Sequence, residues 1–103
     1  MKEELQDLID LLHERKCSCV LRNGEIYTFE RRGVEDLYAL LREQPGLLLG
    51  ADVADKVVGK GAAALMVLGR VRRVYADVLS EPAYGLLFQA GISVSYGRLV
   101  SAI

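Results

Sequence analysis

Gly50 to Leu87 reads GADVADKVVGKGAAALMVLGRVRRVYADVLSEPAYGLL, and the way this stretch divides decides the fold. Asp52 is a helix-capping residue type, and Asp55 follows three residues later, in the first turn where the helix dipole favours an acid. Beyond them, Val57, Val58, Leu65, Met66, Val67 and Leu68, with Gly59, Gly61 and Ala62 to Ala64, are apolar nearly all round. A helix of that kind is covered on several sides, so the spacing predicts a central helix opening at Asp52 or just after. Two glycines inside it would cost about 1 kcal/mol each against alanine, which close backbone packing would explain. Val71 to Val78 then reads as a strand, Pro82 to Gln89 as a helix and Ile92 to Tyr96 as a strand. Strand, helix and strand joined by short links give parallel strands and a right-handed crossover.

Toward the N-terminus, Leu5, Leu8, Ile9, Leu11 and Leu12 recur at helical spacing, with acids early and His13, Arg15 and Lys16 late, as the dipole prefers. Asn23-Gly24 is a strong hairpin signal because both residues tolerate positive φ. A two-residue loop there would pair Arg22 with Glu25, Leu21 with Ile26, Val20 with Tyr27 and Cys19 with Thr28. Gly33 is expected to open a second helix that Pro45-Gly46 ends, while Leu47 to Leu49 fits either a strand or a buried approach. The order is α, ββ, α, α, β, α, β: a mixed sheet with helices packed on its faces, in a single domain over residues 1–103.

Hydrophobic residues make up 51% of the 103 positions and charged ones 26%, the composition of a globular chain. Thirteen basic and 14 acidic side chains leave a formal net charge of −1, which provides no field to hold nucleic acid. Gly61 to Gly69 is the longest run without a polar side chain, far short of the ~20 residues that span a bilayer. Met1 to Arg15 is an amphipathic, charged helix and not a secretory signal. Cys17 and Cys19, two apart on what reads as a strand, would share a face, and a disulfide between them would be strained. Reduced thiols and a cytoplasmic location are expected.

Several patterns approach known chemistry. Ala54 to Gly61 nearly matches a phosphate-binding P-loop, but Ala54 stands where glycine is needed and Gly61 where a hydroxyl would hold magnesium. Gly59 to Ala64 matches a loose dinucleotide fingerprint, with Asp77 downstream as a ribose-binding acid, yet those glycines are expected inside a helix. The polar helix starts carry more weight. Lys56 and Lys60 are one turn apart on the expected helix, so they and the helix N–H groups could meet a phosphate or carboxylate. The bland alternative is a cap with two solvated lysines. Ser80-Glu81-Pro82 is a second helix start, with Ser80 as cap, Pro82 in the tolerated first turn and Glu81 either a dipole partner or an acid–base group. His13 is the sole histidine, so neither a three-ligand zinc centre nor a serine triad has a credible set of residues. Cys19 reads as a buried strand thiol, and Arg31-Arg32-Gly33 as a solvated basic turn.

Cys19-Val20, Arg32-Gly33-Val34, the block Ala54-Asp55-Lys56-Val57-Val58-Gly59-Lys60 with its following alanines, and Tyr75-Ala76-Asp77 through Ser80 together resemble the bacterial domain-of-unknown-function 1893 family. The resemblance covers nearly the whole chain and is most specific in the Asp-Lys-Val-Val-Gly-Lys block. It implies a cytidine deaminase-like α/β fold, a mixed sheet between two helical layers. It also implies that the helix after Asp52 matches the one bearing the His/Cys-x-Glu motif of true deaminases, and the Pro82 helix the one bearing Pro-Cys-x-x-Cys. This chain has Asp55 and Lys56 at the first place and Ala83, Tyr84, Gly85 and Leu86 at the second, so the zinc-hydroxide mechanism lacks its ligands. The expectation is a zinc-free, cofactor-free domain that binds a small polar or anionic, nucleotide-like metabolite through Asp55, Lys56, Lys60, Ser80 and Glu81 at paired helix N-termini. The alternative is a non-catalytic homo-oligomeric interaction module. Neither nucleic acid nor membrane is an expected partner.

Overall fold

The computed structural model describes residues 5–31 and 34–103. The elements are α1 (Gln6–Glu14), β1 (Cys19–Asn23), β2 (Glu25–Phe29), α2 (Glu35–Glu43), α3 (Pro45–Leu48), β3 (Asp52–Val58), α4 (Lys60–Leu68), β4 (Arg73–Ser80), α5 (Glu81–Gln89) and β5 (Ser93–Val100). The described strands form one mixed sheet in the order β2-β1-β3-β4-β5. β1 is antiparallel to both its neighbours, and β3, β4 and β5 are parallel. Helices cover both faces, as expected. On one face, Leu8, Ile9 and Leu12 of α1 pack with Val20, Ala54 and Tyr75. On the other, Leu37, Leu40, Leu48, Met66, Ala83 and Leu87 of the remaining helices pack over Leu21, Val53, Val74 and Ala76. Among the described residues no helix is long and apolar enough to cross a membrane.

The helix expected from Asp52 is instead β3, and α4 starts only at Lys60. Val53, Val57 and Val58 favour extended backbone, and the two-residue alternation sends Val53 to one core and Ala54 to the other. The apolar-all-round pattern belongs to Lys60–Leu68 alone, where Ala62, Ala63 and Met66 are buried. Asp52 therefore caps nothing. It stands opposite Arg22 across β1–β3 and beside Arg73 across β3–β4. Its carboxylate accepts hydrogen bonds from Arg73 at 2.7 Å, Arg22 at 3.0 Å and Arg72 at 3.3 Å. Desolvation works to raise its pKa, but these guanidiniums win and hold it well below the usual carboxylate range.

The hairpin forms at Asn23-Gly24, with Gly24 at φ +77°, but in a register one residue tighter than expected. Asn23 pairs with Glu25, Leu21 with Tyr27 and Cys19 with Phe29. A one-residue shift exchanges faces, so Tyr27 and Phe29, not Ile26 and Thr28, join Leu21 and Cys19 against the larger core. The Asn23 amide is drawn away from the turn, donating to the carbonyls of Gly46, Leu47 and Leu49. Cys17 and Cys19 do not share a face: Cys17 precedes β1 and packs with the α1 cluster, Cys19 with the larger core, and both are free thiols. Leu47 and Leu48 belong to the short α3. Gly33, the expected start of the second helix, and Arg32 of the basic turn lie outside the described residues, and α2 begins at Glu35.

Candidate functional site

Antiparallel pairing of β1 with β3 sets Cys19 directly opposite Asp55. A cavity of about 580 Å³ opens beside this pair, lined on the β1 side by Lys16 to Cys19 and on the β3 side by Asp55 to Val57. Glu30 and Arg31 after β2, with Asp36 and Leu37 of α2, complete the wall. Ser18 joins these segments. Its hydroxyl donates to the Arg31 carbonyl at 2.7 Å and the Phe29 carbonyl at 3.2 Å, while its own carbonyl accepts from Lys56 N–H at 3.0 Å. Arg31 is fixed in turn, its Nε donating to Asp36 Oδ1 at 2.7 Å and its backbone N–H to Oδ2 at 3.1 Å.

Asp55 is 6% exposed. Burial raises its pKa, hydrogen bonds from the Val57 and Lys56 backbone and from Cys19 act the other way, and burial prevails, leaving the carboxyl at about 7. The Val57 N–H reaches Asp55 Oδ1 only at 3.3 Å. Burial, then the Asp55 and Asp36 carboxylates, push the Cys19 thiol well above its ordinary value. A thiol so placed is poorly suited to nucleophilic attack. Lys16 and Lys56, both exposed, enter no ion pair among the described residues. The cavity thus combines a desolvated carboxyl inside with solvated cations at its mouth.

The residues expected to form one site are divided. Asp55 and Lys56 line the cavity, whereas Lys60 is the exposed first residue of α4 and Ser80 and Glu81 lie at the start of α5, none of them in the cavity wall. Ser80 is 2% exposed and serves as a cap, its Oγ accepting from Ala83 N–H at 3.2 Å. The division follows from where α4 begins: Asp55 and Lys56 lie on the strand before the turn, not in a first helical turn. The same boundary revises the nucleotide motifs. Most of Ala54 to Gly61 is β3 and cannot wrap a phosphate as a P-loop does. Gly59, the α4 N-cap, occupies the strand-to-helix turn, contrary to expectation, whereas Gly61 is the second residue of α4 and lies inside the helix as expected. The fingerprint fails on its acid instead, because Asp77 accepts from Tyr75 Oη at 2.7 Å and lies 2.8 Å from His13 Nε2. The side chain of Ile103 also sits against Gly59.

Sequence spacing missed Lys16, Ser18, Arg31 and Asp36 as cavity residues. Their signal is non-local, since it takes the pairing of β1 with β2 and β3, and the placing of α2 beside them, to bring these residues into one cavity wall with Asp55. No three His, Cys, Asp or Glu side chains among the described residues are grouped to hold a metal ion.

The family model described as a domain of unknown function, DUF1893, matches residues 7–103. A solved structure of a DUF1893 family protein from Thermotoga maritima superposes with a TM-score of 0.86 at 25% identity, covering 100% of this chain and 70% of that one. No curated protein matches the chain.

Proposed function

The chain belongs to the DUF1893 family, and on that premise we propose that it binds a small polar or anionic, nucleotide-like metabolite in the cavity at the C-terminal end of β3. The observation that carries the reading is Asp55, a buried carboxyl with a pKa of about 7 set in the wall of an open cavity of about 580 Å³. That volume is in the range of small-molecule sites, and perturbed carboxyls in clefts gather at functional sites. Lys56, and Lys16 across the mouth, supply cations for an anionic group. We read the sheet, with its two successive strand-to-helix turns after β3 and β4, as a zinc-free version of the deaminase arrangement. In that reading the helix starts Gly59-Lys60-Gly61 and Pro82-Ala83, and not Asp55 and Lys56 as the resemblance implied, stand where the zinc enzymes carry ligands and a proton-shuttling glutamate. The cavity lies on the strand just before the first of them.

Isothermal titration against a panel of nucleotides and sugar phosphates tests the reading. Binding that weakens at least fivefold in Lys56→Ala and is unchanged in Lys60→Ala supports it. No binding across the panel, or equal loss in both variants, sinks the assignment to this cavity.

A second reading, self-association, is favoured by one surface. Phe88 is 66% exposed and stacks on Tyr84 at 5.9 Å, Tyr84 meets Tyr96 edge-on at 6.2 Å, and the patch borders β5 at the open edge of the sheet. Sheet edges and exposed apolar patches are where chains pair. A sedimentation coefficient of a monomer at 100 μM would exclude it.

A further inference from the structure

Two buried carboxyls three residues apart on β3 are treated in opposite ways. Asp52, 2% exposed, is surrounded by the guanidiniums of Arg22, Arg72 and Arg73. Asp55, 6% exposed, has no Lys, Arg or His within ion-pair distance among the described residues. The side chains that act on it are the Cys19 thiol on β1, which hydrogen-bonds to it, and the carboxylate of Asp77 on β4, whose charge opposes its ionisation. Among the described residues the guanidinium in the cavity wall is that of Arg31, and it is already bound to Asp36. A buried carboxylate needs a partner cation to stay ionised, and among the described residues none pairs with Asp55. At the mouth the situation is reversed, with Lys16 and Lys56 unpaired among the described residues and facing solvent.

We propose that the ligand is a small zwitterion, whose protonated nitrogen (an amine, amidine or guanidine) pairs with Asp55 and whose carboxylate or phosphate lies toward Lys16 and Lys56. The proposal rests on the cavity being the binding site, and it adds that the ligand supplies the cation Asp55 lacks. A charge-assisted N–H to carboxylate bond is roughly twice as strong as a neutral one, so the nitrogen contributes selectivity as well as affinity.

Three matched probes separate the two ends: 4-guanidinobutanoate, butylguanidine and butanoate, each titrated into the protein at pH 8 while the backbone amides of Lys56 and Val57 are followed by NMR. The expected result is shifts at both amides and a dissociation constant for 4-guanidinobutanoate at least tenfold below those of the other two. Asp55→Asn should remove its advantage over butanoate, and Lys16→Ala with Lys56→Ala its advantage over butylguanidine. A wild-type arm needs no variant to fold: butylguanidine affinity should fall severalfold between pH 8 and pH 6 as Asp55 takes up a proton, with butanoate affinity not falling. If butanoate and ethyl phosphate move the Lys56 and Val57 amides as strongly as 4-guanidinobutanoate does, the zwitterion is wrong and the anion-binding cavity stands. If neither these probes nor the nucleotides and sugar phosphates move them, both fall.

Discussion

Asp52 and Asp55 show how a single strand can give the same residue type two opposite electrostatic roles. Burial raises the folded pKa of Asp55 from the ordinary 3.8 of an aspartate to about 7. Its contribution to stability is fully present below the unfolded pKa and is lost as pH rises through about 7. Asp55→Asn should therefore be more stable than the parent at pH 8.5, by as much as about 4 kcal/mol from the size of the shift, with the gain vanishing near pH 4. Urea unfolding at the two pH values checks it. Asp52 has a depressed pKa, so its contribution is present above the unfolded value and is lost as pH falls below it. Asp52→Asn should cost about 3–5 kcal/mol at pH 7, the usual result of breaking a buried pair from one side. A third residue-scale prediction concerns the turn after α4. A Cβ on Gly69 would lie 2.7 Å from Leu48, and Arg70 holds the left-handed φ of 60° that glycine prefers. Arg70→Gly should raise stability by about 0.5–1 kcal/mol, and Gly69→Ala should lower it, both read as shifts in thermal midpoint.

Helix α5 was the most legible element, because Ser80, Glu81 and Pro82 each carry a local signal that nothing else overrides. Ser80→Ala removes the bond to the Ala83 N–H and should cost about 1 kcal/mol without affecting the cavity, measured as a thermal shift with unchanged ligand titration. β3 was misread for a physical reason. Asp52 and Asp55 have helix-start spacing that masks the extended preference of the valines between and after them, and Arg22 and Arg73, which pair with Asp52, come from two other strands. The parallel strands β4 and β5 were legible from their apolar runs and short links. The hairpin position was legible from Asn23-Gly24 but its register was not, since the Asn23 side chain is bonded to the chain around α3 and not to its own turn.

At the scale of the whole molecule, the alternation of α and β and the covering of both sheet faces followed from periodicity, and two of the candidate site residues, Asp55 and Lys56, line the cavity. The cavity itself could not be read, because it is made where four segments meet: the approach to β1, the end of β2, the start of α2 and the end of β3. Helix-start logic gathered Lys60, Ser80 and Glu81 with Asp55, whereas the sheet keeps Asp55 on a strand and faces it with Cys19. That carboxyl is desolvated and has no ion-pair partner among the described residues. Carbon-13 NMR titration of the Asp55 side-chain carboxyl in the ligand-free protein measures this directly. A midpoint near 7 that drops when 4-guanidinobutanoate is added is the predicted result, and a midpoint near 4 in the free protein, insensitive to the probe, would contradict it.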